Sequence, residues 1–380
     1  MKKAAVAAAG IFAAITLLAG CRKEDVEKVI EPLVAEVKEE EEAETMEEIE
    51  DDSEAESVEE DEEKETRSEI DTSIPIQAGA RVAVVSKNTK GEFWELVNQG
   101  MEEAVDAVNE AYGYEKDDKI TLTFEGPDDE QKVDDQINIL DAVIAENPDV
   151  LCLAAGDMDS CQAQIESARE NGIPVVVFDS NVSERKLIRA FRGTDNTLVG
   201  EMAAYRLGRA IGKMGKVAVF SAQEKTESAK NRTEGFLANI ANYTDIEVVE
   251  VVYQDQVEDM EAAMQEVLAK YPTLDGVFCT NADVAEMYLD MEKEEREQKI
   301  AMVGVDATSR QLEAIEAGEE IGVVSQNPKM IGYETVWAAL QATAPKKAKV
   351  QIEKAVYFDP VWIDRDNMDD PEYSDYIYAE

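Results

Sequence analysis

Ile173-Pro174-Val175-Val176-Val177-Phe178-Asp179-Ser180-Asn181 is the stretch on which the fold turns. An apolar run this short and β-branched, with no polar alternation, suits a strand covered on both faces. The polar triplet that closes it starts a loop. Working outward, the same unit recurs. Val82 to Val85 is a strand followed by a polar loop, Ser86 to Glu92, and then by Phe93, Leu96, Val97, Met101, Ala104, Val105 and Val108 at helical spacing. Ile120 to Phe124 precedes a second helical pattern, Val133, Ile137, Leu140, Val143 and Ile144. Val150 to Ala154 precedes a third that runs through Ile165. Downstream strands are expected at Lys216–Phe220, Ile246–Val252, Gly276–Cys279, Ala301–Val305 and Gly322–Ser325, with helices in the gaps. Strands alternating with helices predict α/β layers with parallel sheets. About a dozen strands exceed one comfortable doubly wound sheet, so two sheets and two lobes are expected.

The N-terminal fifth of the chain reads differently. Lys2 and Lys3 precede an apolar run from Ala4 to Gly20 that ends in Leu18-Ala19-Gly20-Cys21. A charged head, a short greasy core and small residues at the cut are the layout of a secretory signal. The run is too short and Ala-rich for a comfortable membrane span. From Arg22 to Ala80 there are 25 acidic and 6 basic residues. Between Glu39 and Glu65 two-thirds of the positions are Asp or Glu, with little to bury. Such a segment cannot offset its chain entropy and is expected to be an extended, disordered stalk. The whole chain of 380 residues carries a formal charge of -48. That excludes nucleic-acid binding by phosphate neutralisation. There is no His, which removes the commonest metal ligand and general base. Cys152, Cys161 and Cys279 show no metal-like spacing, and Cys152 and Cys279 read as core. No Ser or Cys nucleophile has a placed base, so an enzyme is not expected, nor any cofactor or metal.

In open parallel sheets, ligands sit beyond the carboxyl ends of the strands. Those positions hold Ser86-Lys87-Asn88 and Phe93-Trp94, Asp179, Lys230-Asn231-Arg232, Thr280-Asn281, Asp306 and Gln326-Asn327. Flat rings stack on a sugar, carboxylates and amides pair with vicinal hydroxyls, and Arg supplies a planar fork of donors. The set is one for polyol recognition. Each residue also has a plainer reading: Phe93 as the first core position of its helix, Asp179 and Asp306 as helix caps, Arg232 as half of a surface ion pair.

Residues 80 to 367 resemble the periplasmic sugar-binding proteins of the ribose-, galactose- and xylose-binding type. The resemblance rests on Phe93-Trp94 with Gly100, Asp179 after Ile-Pro-Val-Val-Val, Gly193-Thr194-Asp195-Asn196, Arg232-Thr233-Glu234-Gly235-Phe236, Asp275-Gly276-Val277-Phe278 leading to Asn281, Val303-Gly304-Val305-Asp306, and Gln326-Asn327-Pro328. It implies two Rossmann-like lobes of parallel sheet joined by a three-strand hinge, with the ligand closed between them. It implies Phe93 and Trp94 as stacking rings, Asp179 as the first-lobe acceptor, Arg232, Asn281 and Asp306 from the second lobe, and Gln326 at the hinge. Lys87 and Asn88 are further candidates in a loop that varies in the family. Asp195 and Asn196 read as residues that hold the crossover. Ser180 stands where ribose binders place Arg, which implies a hydroxyl pattern other than ribose's. No calcium loop of the galactose-binding type is evident.

The end Leu18-Ala19-Gly20-Cys21 resembles a bacterial lipobox, which implies an acylated Cys21 as the first mature residue and an extracytoplasmic protein tethered to the membrane. The expected organisation is a signal peptide at 1–20, a lipidated Cys and stalk at 21–79, a first lobe of 80–194 plus 327–358, and a second of 195–326 plus 359–380. The expected partners are a monosaccharide or polyol, an ABC permease with its ATPase, and the membrane through the lipid; the chain is expected to be a monomer. The alternative is a receptor feeding a sensor kinase or chemoreceptor. Regulators of the lactose-repressor type share the fold but begin with a DNA-binding helix-turn-helix, where this chain has a signal and an acid stalk.

Overall fold

The computed structural model describes residues 66–291 and 299–379. The expected signal sequence, Cys21 and the acid-rich run before residue 66 lie outside the described residues. The first lobe is built in chain order from β1 (Arg81–Val85), α1 (Glu92–Tyr112), β2 (Thr121–Glu125), α2 (Val133–Ala145), β3 (Val150–Leu153), α3 (Gln162–Glu170), β4 (Val175–Phe178) and β5 (Ala190–Thr194). The second follows as α4 (Asn196–Ala210), β6 (Met214–Ser221), α5 (Glu227–Ile240), β7 (Asp245–Tyr253), α6 (Met260–Lys270), β8 (Gly276–Cys279), α7 (Ala282–Asp290), β9 (Ala301–Val305), α8 (Ser309–Ala317) and β10 (Gly322–Ser325). Helix α9 (Pro328–Thr343) leads back to the first lobe, and β11 (Ala355–Phe358) and β12 (Val361–Ile363) close one sheet each.

The two sheets have orders β11-β5-β4-β3-β1-β2 and β12-β10-β9-β8-β6-β7, the same arrangement twice. All pairs are parallel except β10 with β12. The chain passes between sheets three times, after Thr194, after Ser325 and after Phe358. Central strands β3, β4, β8 and β10 are buried along their whole length. The edge strands depart from the expectation of strands apolar on both faces. β2 alternates between exposed and half-buried, because its sequence Thr-Leu-Thr-Phe-Glu turns one face to water, and β7 is nowhere fully buried.

Residues 66–79, placed in the stalk by their composition, pack instead on the first lobe. Arg67 pairs with Glu103 at 2.6 Å and lies over the ring of Tyr333, 5.0 Å from its centroid. The Ser68 amide and hydroxyl both donate to the Glu334 carboxylate, at 2.6 and 2.9 Å. Ile70 and Ile74 pack against the core, and Ile76 is buried in it. Tyr112 and Tyr114 donate their hydroxyls to the carbonyls of Ile74 and Ile76. Three isoleucines within seven residues supply the burial that the preceding acid run lacks, so the ordered body starts before the stretch looks apolar on average.

Each lobe has one helix pair in which backbone meets backbone. A Cβ on Gly200 of α4 would overlap the carbonyl of Arg232 on α5, and one on Gly235 of α5 would overlap that of Thr197 on α4. In the first lobe a Cβ on Gly332 of α9 would strike the Val97 carbonyl of α1, and one on Gly100 of α1 the Lys329 carbonyl of α9. The helix entering each lobe from the hinge is thus pressed onto the helix after that lobe's first strand. A methyl at such a contact must push rigid backbone, so Gly200→Ala is expected to cost about 1–3 kcal/mol of stability. A melting temperature lowered by several degrees would show it; an unchanged melt would mean the α4–α5 contact is looser than the structure has it.

Candidate functional site

The carboxyl ends of both sheets surround one cavity of about 290 Å³. Its walls come from the loops after β1 (Lys87), β4 (Asp179), β6 (Ala222), β8 (Thr280, Asn281), β9 (Asp306) and β10 (Gln326), and from the first turns of α1 (Phe93, Trp94), α5 (Ser228, Arg232) and α7 (Asp283, Glu286). The volume is at the low end of the ~300–1,000 Å³ typical of small-molecule sites.

Two aspartates face the cavity from equivalent places, Asp179 directly after β4 and Asp306 directly after β9. Both sit at positive φ, 54° and 80°. Asp tolerates this region better than most side chains, and the bend there ends the strand and turns the carboxylate toward the cleft. Neither caps a helix. Asp306 Oδ1 accepts from Gln326 Nε2 at 2.7 Å and from the Tyr378 hydroxyl at 3.1 Å, and Oδ2 from the Ala282 amide at 3.0 Å. Asp179 Oδ2 takes Lys87 Nζ at 2.9 Å, while its Oδ1 meets no protein donor among the described residues.

Lys87 is the hub of the first-lobe wall. Its ammonium also reaches Ser180 Oγ at 3.0 Å, Ser228 Oγ of the second lobe at 3.4 Å and Glu130 at 3.7 Å. Burial alone would push its pKa down, and that is the largest single influence. The charges of Asp179 and Glu130 and the bond to Asp179 outweigh it, so the group is held above the usual lysine range. Arg232 is buried too. Its Nε donates to Asn196 Oδ1 at 2.7 Å and its Nη1 to the Thr280 carbonyl at 2.8 Å, leaving Nη2 without a protein acceptor among the described residues. The surface ion-pair reading of Arg232 therefore fails: an amide and a carbonyl orient it.

Every other expected residue can be placed. Asn281 lines the cavity and also caps α7, accepting from the Val284 amide at 3.1 Å. Gln326 bridges the hinge, accepting from Thr194 Oγ1 at 2.8 Å and donating to Asp306. Asn88 does not line the cavity. Its side chain accepts from the Lys90 amide at 2.9 Å and shapes the loop. Trp94 is only 4% exposed. Its Nε1 donates to Glu130 at 3.1 Å, Lys87 Nζ lies 5.6 Å from its ring centroid, and Phe93 and Phe178 meet it edge-on. Trp94 thus reaches the cavity wall with most of its ring covered by protein, and Phe93 beside it is half-buried. Asp195 caps α4 through the amides of Thr197 and Leu198.

Sequence reasoning missed Glu130, Ser228, Asp283 and Glu286 in the walls and Tyr378 behind them. Asp283 is exposed to the cleft yet crowded by protein. Burial and the carboxylates of Glu130, Glu286, Asp306 and Asp129 push its pKa up to about 7. Tyr378, from the C-terminal segment, packs its ring 6.1 Å from that of Phe93 and fixes both Asp306 and the Gln326 amide. Burial, and then the Asp306 charge, hold its phenol well above the usual range. Cys152, Cys161 and Cys279 are buried away from the site. The lobes touch around the cavity. Thr226 Oγ1 donates to the Gly156 carbonyl at 2.5 Å, the Met158 amide to the Lys225 carbonyl at 3.0 Å, Arg185 pairs with Glu227 at 2.8 Å, and the Ser309 amide donates to Glu92 at 2.8 Å.

A profile described as "Periplasmic binding protein domain" matches residues 82–347. The chain is similar to the ribose import binding protein of Bacillus subtilis, 26% identical over 220 residues, 57% of this chain and 70% of the relative. It is similar in structure to an ABC transporter solute binding protein from Agrobacterium vitis with bound D-fucose, at TM-score 0.70 and 27% identity over 79% of this chain and 100% of that one. A second such protein from Agrobacterium vitis, with bound α-D-tagatopyranose, gives TM-score 0.68 and 26% identity over 79% and 100%.

Tyr378→Phe deletes the buried hydrogen bond to Asp306 and takes the hydroxyl acceptor from the Gln326 amide, and is expected to cost at least about 1.5–3 kcal/mol. Denaturant unfolding should show a lower midpoint at an unchanged slope. An unchanged midpoint would mean that the hydroxyl contributes nothing to holding Asp306.

Proposed function

The chain belongs to the periplasmic binding protein family, which works outside the cytoplasm, and we propose that it captures a monosaccharide or related polyol between its two lobes and delivers it to an ABC permease. Membership places it among binding proteins rather than enzymes. The observation that carries the proposal is a partly open cavity between the lobes, walled by Asp179 of the first lobe and Arg232, Asn281 and Asp306 of the second. Solute binding proteins that hold sugars, including the two from Agrobacterium vitis, are its structural neighbours.

In this reading Asp179 Oδ1 and Arg232 Nη2, the two unpartnered ends, take ligand hydroxyls from opposite sides, and Phe93 covers an apolar face of the ring. A ligand that needs both lobes at once favours the closed state over the open one by the difference in contacts. Closure is then a shape that a permease can read. Gln326 and Asn281 are built into the protein's own hydrogen bonding, so their share in recognition is to fix Asp306 and the start of α7 as much as to touch ligand. The lipid on Cys21 would keep the receptor at the membrane surface, and the acidic stalk would give it reach. No helix among the described residues is long and apolar enough to cross a membrane.

Each buried hydrogen bond to a charged group contributes about 1.5–3 kcal/mol. Asp179→Ala and Arg232→Ala should therefore each weaken a sugar found by thermal-shift screening roughly 10- to 150-fold by calorimetry. Ligand should also perturb Trp fluorescence through the cavity wall at Trp94. Affinity within twofold of the parent in both folded variants would move the site elsewhere.

A further inference from the structure

Six carboxylates line the cavity, Glu92, Glu130, Asp179, Asp283, Glu286 and Asp306, against three cations, Lys87, Lys90 and Arg232. The cations do not balance them. Lys87 is taken up by Asp179 and Glu130. Lys90 is largely exposed and pairs outward with Asp128. Arg232 lies close enough to Lys87 to repel it weakly.

Glu92 accepts from the Ser309 amide and Glu286 Oε1 from Thr308 at 2.6 Å. Asp306 is filled by Ala282, Gln326 and Tyr378. Asp283 meets no donor among the described residues, and the four charged groups that act on it most strongly are all carboxylates. It lies in the first turn of α7, where an acid is favoured by the helix dipole, but that favour is modest, on the order of 0.3–1 kcal/mol at exposed sites. A second observation points to a bound molecule independently of the acids. Arg232, only 4% exposed, presents a guanidinium nitrogen with no protein acceptor into the same cavity. The same cavity therefore holds a guanidinium donor and a carboxylate that both lack a protein partner among the described residues.

Asp283 stays exposed to water at the cavity wall even with the lobes in contact, and a neutral polyol seated against it would displace that water without compensating the charge, which is costly. An ammonium there would be paired on entry. We propose that the ligand is a polyol carrying a basic nitrogen, an amino sugar or amino-alditol whose ammonium docks on Asp283 and Glu286 while its hydroxyls meet Asp179 and Arg232. The inference rests on the polyol reading above and narrows its substrate class.

The test is calorimetry of the mature chain with 2-amino-2-deoxyhexoses and 1-amino-1-deoxyalditols, each beside its neutral parent and its N-acetyl derivative. At least one amine should bind tenfold or more tighter than its parent, and N-acetylation should abolish the gain. Asp283→Asn should weaken that amine roughly 10- to 150-fold and its neutral parent by much less, so that the amine's advantage is lost, and Glu286→Gln should act in the same direction. Neutral parents that bind as tightly as the amines would overturn the inference and leave the polyol reading intact. Failure of every probe, charged and neutral, would overturn both. An amine preference that survives in Asp283→Asn and Glu286→Gln would overturn the assignment of the ammonium to these carboxylates.

Discussion

The reciprocal glycine contacts are the constraint on which the site depends. α4 and α9 are the helices that follow the first two crossings of the hinge, and each lies directly on the helix that carries a lobe's ligand-facing side chains. Gly200 lets α4 touch the backbone of Arg232 itself, and the next residue to leave the hinge, Asn196, holds the Arg232 guanidinium. Gly332 does the same for α1, four residues after Phe93 and three after Trp94 at the Val97 carbonyl. A gap the width of one methyl group at either place would turn the first helix of that lobe and swing its cavity residues. The hinge and the binding wall are thus one rigid unit within each lobe, which allows motion between lobes without loosening either wall.

Charge placement follows from that rigidity. Two strands end in an Asp at positive φ, and the backbone strain at each is held by a dense set of bonds, Lys87 and Ser180 at Asp179, and Gln326, Tyr378 and Ala282 at Asp306. The first set reaches across the cleft, since Lys87 and Ser180 both meet Ser228 of the second lobe. The second set ties the hinge, since Gln326 also holds Thr194. Separating the lobes would break the contacts of Lys87 and Ser180 with Ser228 and leave Asp179 with both of its first-lobe partners. A ligand that bridges Asp179 to Arg232 would favour closure by the contacts it makes only when both walls are within reach.

What was legible in the sequence was whatever had a strong local cause. Central strands show as short apolar runs because both faces are covered, so β4 could be read from Val175 to Phe178 and its site residue from the next position. β5 carries Arg192 and Gly193, β11 is an edge strand that is mostly not buried, and β12 has only three residues, so these three were not visible as strands even though they complete the sheets. The packed stretch 66–79 was hidden because its three isoleucines follow an acid run that dominates any average over the region. In the site, residues at strand ends were found because topology puts ligands there. Glu130, Asp283 and Glu286 sit on loops and helix turns where acids are common throughout this chain, and nothing local sets them apart. Tyr378 is some fifty residues from Gln326 in sequence, and only the tertiary fold brings them together. Trp94 lines the cavity from the first turn of α1, but its neighbours, Lys87 above the ring and Glu130 at the indole nitrogen, could not be read from the sequence because only the tertiary fold brings them to it.

The chain's acidity has two physical meanings that composition cannot separate. On the surface, carboxylates are solvated and screened, so charge there changes solubility and association more than fold. Inside a closing cavity the same groups lose water, and their mutual repulsion rises as the dielectric falls. Asp283 and Glu286 both have their pKa values raised, by burial first, while neighbouring carboxylates add to the rise at each. Lys87 shows the opposite case, an ammonium kept charged in a buried place because two carboxylates surround it. Asp283 has no such partner among the described residues and keeps its contact with water at the cavity wall. The position of each such acid in the wall, and not the net charge of the chain, is what bears on the chemistry of the ligand.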